Sequence, residues 1–123
     1  EISRLMLCIK SLIASTNGLP TIIFDEIDTG VSGEVATQMG RIMLEMAKSR
    51  QVLAITHLPQ IAALGEHHYE VYKADTKSRT ETNIRALQET DRVDAIATML
   101  SGKNPTEAAR ENAKQLLNIY GKS

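Results

Sequence analysis

Apolar and polar positions alternate in two different periods along this chain, and the switches between them predict its elements. Ile2, Leu5, Met6, Ile9, Leu12 and Ile13 recur at helical spacing, predicting an amphipathic helix over 2–15. Asn17-Gly18-Leu19-Pro20 closes it, with Gly18 as a C-cap candidate and Pro20 barring continuation. The period then changes. Thr21–Phe24 is a short, continuous apolar and β-branched run, the pattern of a strand buried on both faces. After the loop Asp28–Gly33, Val35, Met39, Ile42, Met43 and Met46 line one face of a second helix. Val52–Thr56 repeats the buried-strand pattern, and a short helix is expected from Pro59 to about Leu64. Strand, helix and strand in that order predict a parallel βαβ unit.

Beyond Leu64 the pattern is different again. Tyr69–Lys73 and Thr82–Leu87 alternate apolar and polar residues around the polar turn Ala74–Arg79, which predicts an antiparallel hairpin with one solvated face. Thr90 or Asp91 is a candidate cap for a helix through about Leu100, which Ser101-Gly102-Lys103 breaks. Asn104-Pro105 starts a last helix carrying Ala108, Ala109, Ala113, Leu116, Leu117 and Tyr120. The chain is expected to form one α/β domain, with a βαβ region over 1–64, a hairpin over 65–88 and C-terminal helices over 89–123.

Two strand ends carry the candidate chemistry. The first strand runs into Asp25-Glu26, the second into His57. In parallel sheets, phosphates and metals are held at this edge. Hydrolysis of a nucleotide needs Mg²⁺ near the β- and γ-phosphates and a base for the attacking water. Alternation along a strand sends neighbouring side chains to different sides. Asp25 is therefore the candidate metal ligand and Glu26 the candidate general base. His57 is a candidate sensor of the γ-phosphate. Read alone, Asp-Glu after a strand is an ordinary loop cap; the neighbouring histidine gives it a second meaning. His67 and His68 lack such context and read as surface residues at the hairpin entry.

Composition narrows the picture. The 123 residues are 42% hydrophobic and 24% charged, ordinary for a globular domain. With 14 basic and 15 acidic side chains the net charge is −1, so bulk charge gives no case for nucleic-acid binding. Lys73, Lys77, Arg79 and Arg85 cluster on or beside the hairpin and are candidates for phosphate contact, beside the default reading of a charged, solvated hairpin. A single cysteine, Cys8, excludes an internal disulfide framework and fits a reducing compartment. No run approaches the roughly 18–20 apolar residues of a membrane span. Neither a membrane partner nor a signal peptide is expected, and the expected location is cytoplasmic. Helical periodicity is under way by Ile2 with no capping residue before it, which predicts that the natural chain extends upstream.

No phosphate cradle is present. Gly121-Lys122-Ser123 imitates the end of a P-loop, but the motif needs a glycine at position 116, which is Leu. Gly102-Lys103-Asn104 fails similarly.

Ile23-Phe24-Asp25-Glu26 resembles the Walker B motif of ABC-type ATPases, and Thr56-His57 resembles their switch histidine. Glu1-Ile2-Ser3-Arg4 is similar to the residues that follow the Ser-Gly-Gly core of their signature motif. Asp25-Glu26-Ile27-Asp28 resembles the SMC-like branch more than the transporters, which place Pro-Thr after Asp-Glu. Asp28–Gly33 and Ile55–Ala62 narrow the likeness to bacterial DNA-repair members of that branch. These matches cover about the first half of the chain.

The resemblance implies the C-terminal lobe of a P-loop ATPase head that binds ATP and Mg²⁺. The P-loop would lie in the N-terminal lobe of the same protein. A second head would complete the site by homodimerisation, and the whole protein would engage DNA in recombinational repair of double-strand breaks, near the nucleoid. In that frame Asp25 holds Mg²⁺ and Glu26 and His57 are catalytic; Glu1, Ser3 and Arg4 lie at the γ-phosphate of the partner head's nucleotide, and Asp28, Gly30 and Ser32 in the loop between the heads. One departure stands out: SMC proteins and transporters usually carry Asp six residues after the catalytic Glu, where this chain has Ser32. Two other readings remain open from the residues. One is a TOPRIM-type Mg²⁺-dependent nuclease using Asp25, Glu26 and Asp28. The other is a non-catalytic docking module.

Overall fold

The computed structural model describes Cys8, Gly18 and residues 20–26, 29–31 and 33–121. The predicted first helix, 2–15, lies outside the described residues. The chain divides into two compact units, Glu1–Leu64 and Gly65–Ser123.

The first unit holds strand β1 (Thr21–Asp25), helix α1 (Gly33–Ala47), strand β2 (Gln51–Ile55) and the short helix α2 (Pro59–Ala62). β1 and β2 pair in parallel, with Thr21 opposite Gln51 and Asp25 opposite Ile55. The predicted βαβ order is thus present. Alternation decides which side chains enter the core. Ile22 and Phe24 point inward and join Met39, Met43, Met46 and Ile61, with Val35, Ile42 and Val52 packed around them. Ile23 and Leu53, on the opposite face, are 55% and 44% exposed. The two strands therefore have one covered face, not the two that continuous apolar runs predict.

Helix α1 carries a buried glycine, Gly40, in its interior. Glycine there costs about 1 kcal/mol against alanine in helix propensity. Packing supplies the reason: a Cβ at Gly40 would collide with Leu64 Cδ1. Leu64, just past the short helix α2, packs its side-chain end over the bare position. Lys48, just past the end of α1, pairs with Glu45 at 2.8 Å.

The second unit holds strands β3 (Tyr69–Asp75) and β4 (Thr80–Ala86), then helices α3 (Glu89–Ser101) and α4 (Glu107–Gly121). β3 and β4 form the predicted antiparallel hairpin, with Tyr69 opposite Ala86 and Val71 opposite Ile84. The strands run further than expected, and the turn shrinks to residues 76–79, closed by Thr76 N–H donating to Arg79 O at 2.8 Å. α3 begins at Glu89 without a side-chain cap, so neither Thr90 nor Asp91 caps it; Glu89 and Asp91 instead complement the dipole of its first turn. It ends at Gly102, whose N–H donates to Thr98 O at 2.8 Å. The cap of α4 is Thr106, whose Oγ1 accepts from Ala109 N–H at 3.1 Å, not Asn104-Pro105. Ala97, Ala109 and Ala113 are buried where α3 and α4 pack; Ala108 is exposed.

The interior of this unit includes a charge. Arg92 is 8% exposed, and its Nη2 donates to Gly65 O at 2.7 Å. His68, half-buried rather than a surface residue, is held below its ordinary value near 6.5 by burial first and by the Arg92 charge second, against a smaller upward pull from Glu70.

Two outcomes follow from this packing. Phe24 is 0% exposed, so Phe24→Ala should cost about 3–5 kcal/mol in urea unfolding. Ile23→Ala on the open face should stay within about 0.5 kcal/mol. A depressed histidine stabilises above its unfolded value and loses that contribution as pH falls through the folded one. Stability of the chain should therefore drop as pH falls below 6.5, and His68→Gln should flatten that drop in unfolding midpoints compared at about pH 7.5 and about pH 5.5.

Candidate functional site

The site is built at the C-terminal ends of β1 and β2. β1 ends at Asp25, and Glu26 leaves the sheet with φ of 51°, in the left-handed region. Glu26 is the one residue other than glycine with positive φ among the described residues. A side chain there costs roughly 1–2 kcal/mol. Three hydrogen bonds hold it. Glu26 N–H donates to Ile55 O at 2.9 Å, extending the parallel ladder one step past β1. Thr29 N–H and Thr29 Oγ1 donate to Glu26 O at 3.4 and 2.9 Å. The chain thus reverses immediately after the two carboxylates.

This changes how the carboxylates are separated. Asp25 sits at the strand's last position, on the face it shares with Ile23. Glu26 is no longer on the strand, so a backbone reversal sets it apart from Asp25 where pleat alternation had been expected to. Gly30, with φ of 77°, continues the turn at little cost.

β2 delivers His57 to the same edge. Asp25 is level with Ile55, so Glu26 and Thr56 are neighbours across strands that lie about 5 Å apart. Thr56 Oγ1 accepts from Leu58 N–H at 3.0 Å, a local turn with His57 at its centre. Asp25, Glu26 and His57 are all exposed. The structure therefore brings these three predicted residues to one sheet edge, with Gly30 in the adjoining turn. Glu1, Ser3, Arg4, Asp28 and Ser32 lie outside the described residues.

A Mg²⁺–nucleotide site takes one or two carboxylates, with phosphate oxygens and water filling the remaining positions. Two exposed carboxylates at a strand end suit that donor set. Among the described residues no group of three or more His, Cys, Asp or Glu could hold a metal ion by itself.

The hairpin looks different once its pairs are known. Arg79 pairs with Glu81 and Arg85 with Glu70, each at 2.7 Å. Arg85 also lies 5.3 Å from the centre of the Tyr72 ring. Of the predicted phosphate-contacting cluster, two members thus already have carboxylate partners. Sequence reasoning also passed over Arg92; its one available signal was an arginine on the face of α3 that carries Ile96. No described helix is long and apolar enough to cross a membrane.

No family model matches the chain. Its curated relatives do. The chain is 40% identical over 119 residues to DNA repair protein RecN of Haemophilus influenzae, covering 97% of this chain and 21% of that protein. It is 41% identical over 119 residues to RecN of Halalkalibacterium halodurans, again over 97% and 21%. RecN of Deinococcus radiodurans is 42% identical over 117 residues, 95% of the chain and 20% of the relative. With its parallel and antiparallel sheets, a chain so related is an α/β portion of a P-loop ATPase head. More particularly, it belongs to the RecN family of DNA repair proteins, and it spans about one fifth of the length of the curated relatives it matches.

The strained turn gives a local test. Glu26→Gly relieves about 1–2 kcal/mol of left-handed strain and returns about 0.5–1 kcal/mol in chain entropy. The variant should be as stable as the parent or up to about 1.5 kcal/mol more so in urea unfolding. Gly30→Ala, at φ of 77°, should instead lose about 1 kcal/mol.

Proposed function

We propose that this chain supplies the hydrolytic half of the ATP site in an SMC-like ATPase that acts in recombinational repair of DNA double-strand breaks. The carrying observation is the pairing of β1 and β2, with Asp25-Glu26 and His57 at adjacent strand ends. The relatives' printed name, DNA repair protein, supports the biological setting.

In this reading Asp25 would hold the nucleotide's Mg²⁺, and the Glu26 carboxylate would accept a proton from the attacking water. His57 donates a hydrogen bond toward the γ-phosphate. Bound Mg²⁺–ATP supplies the electrophilic phosphoryl group and the charge that its oxygens need. Positive φ at Glu26 has a use here. It turns the base away from the metal ligand, so a single dipeptide serves two targets. Gly30 keeps the following turn low enough for close backbone approach. Glu1, Ser3 and Arg4 are assigned to the γ-phosphate of the nucleotide held by the partner head, and Asp28 and Ser32 to the loop that faces that head.

The sequence contains no P-loop. The phosphate cradle is therefore assigned to the N-terminal lobe of the same protein, and a homodimeric second head is assigned to the opposite side of the nucleotide. DNA engages the whole protein, in the bacterial cytoplasm near the nucleoid. The TOPRIM-type alternative needs Asp28 as its third carboxylate, and no observation favours it.

Glu26→Gln tests the assignment in the full-length protein. Loss of a general base costs about 10²–10⁴-fold. Steady-state ATP hydrolysis should fall by at least about 100-fold while binding of ATP persists. Turnover near the parental rate would remove Glu26 from the role of base.

A further inference from the structure

A cavity of about 140 Å³ opens at the base of the hairpin, where the chain enters β3 and leaves β4 for α3. Leu87 N–H, donating to His68 O at 2.9 Å, ties that base together. Every residue that lines the cavity belongs to the second unit. His68 and Arg92 are among them, and each brings a buried nitrogen that has no hydrogen-bond partner among the described residues: His68 Nδ1 and Arg92 Nε. Buried polar groups nearly always have a partner, so two such atoms at one cavity point to something that meets both.

The charge is the harder requirement. Arg92 is 8% exposed, and its side chain donates to one neutral carbonyl, Gly65 O, at 2.7 Å. No carboxylate pairs with it among the described residues. Water can satisfy an N–H but brings no counter-charge, and a buried charge left uncompensated is strongly unfavourable. The cavity also takes in Gln88 and Glu89, at an α3 N-terminus that no side chain caps. The first-turn N–H groups add partial positive charge there.

Glu66 and Glu89 line the same cavity and are exposed, so they set a limit on the ligand. One buried cation beside two rim carboxylates accommodates a single negative charge and disfavours a dianion. A carboxylate meets both terms, since it carries one charge and its planar pair of oxygens matches a guanidinium. Room sets the size: a cavity of about 150 Å³ takes a molecule the size of benzene.

We propose that this cavity binds the carboxylate of a small organic acid, with Arg92 as its counter-charge and His68 as a second donor. An imidazole with its proton on Nδ1 donates to a carboxylate oxygen there, and the imidazolium does so more strongly.

The test uses the 123-residue chain without nucleotide, so its outcome is independent of hydrolysis at Glu26. Imidazole resonances are followed by NMR against pH, with and without sodium acetate at fixed ionic strength. Acetate should raise the proton affinity of His68 by at least about threefold and leave His57 unchanged, because a nearby opposite charge favours the imidazolium. Inorganic phosphate should bind at least about tenfold more weakly than acetate at pH 7.5, repelled by the rim carboxylates. N-acetylglycine, which imitates the end of a peptide, should bind no better than acetate. A His68 that ignores acetate would overturn the proposal and leave Glu66 or Glu89 to serve Arg92. Phosphate binding as tightly as acetate would overturn the carboxylate assignment, and much tighter binding of N-acetylglycine would overturn the small-acid one. Arg92→Lys keeps the charge but loses the planar fork, and should weaken acetate by at least about tenfold. Should that variant misfold, Glu66→Gln on the exposed rim decides: acetate should bind at least about twofold more tightly, and an unchanged or weakened affinity would count against the site.

Discussion

The hydrogen bond from Glu26 N–H to Ile55 O fixes the geometry on which the candidate site depends. It carries the parallel ladder one residue beyond β1 and anchors Glu26 while the chain reverses at φ of 51°. The bond exists only in the observed register, with Asp25 level with Ile55. That register is in turn fixed by the core. Ile22 and Phe24 fill the space under Met39, Met43 and Met46. Slipping β1 by one residue would move Phe24 out and Ile23 in. It would also take Glu26 away from the strand end that presents His57.

The same core explains why the site can tolerate strain. A left-handed glutamate is held by three hydrogen bonds next to a fully buried phenylalanine, two residues upstream. Backbone strain persists where the surroundings over-determine it. Here the surroundings are a ladder bond on one side and a threonine doubling onto the Glu26 carbonyl on the other. The strain produces a directional result: Asp25 keeps the strand's direction and Glu26 does not.

The elements were legible in the sequence to the extent that burial shaped them. Phe24 and the methionine stripe at 39, 43 and 46 announced the βαβ core because their spacing matches the faces they bury. Asp25-Glu26 and His57 were legible as strand ends for the same reason. Glu26's conformation was not, since left-handed positions are signalled by Gly, Asn or Asp, and glutamate carries no such signal. The cap of α4 was misread because Asn104-Pro105 is a strong local start signal. Thr106, bonded to Ala109 N–H, won on geometry. The burial of Arg92 had only its place on the Ile96 face as a signal, because its partner, Gly65 O, is 27 positions away. The hairpin's alternation was read correctly as a ribbon, but alternation says only that two faces differ. Which face meets water depends on what else is present.

That dependence applies to the chemistry as well. Asp25, Glu26 and His57 are all exposed, at the end of a sheet covered on one side only. In water, a carboxylate 4 Å from a unit charge gains about 1 kcal/mol, and at an effective dielectric of 20 about 4 kcal/mol. Solvated as they are, these three side chains have little electrostatic leverage. Excluding water would raise that leverage several-fold without moving any of them. Ile23, Leu53 and Ile55 form an apolar surface on the open face beside Asp25. A covering element that buried these three would also desolvate the carboxylate at their edge. Burying that apolar surface and desolvating the carboxylate are then one physical event.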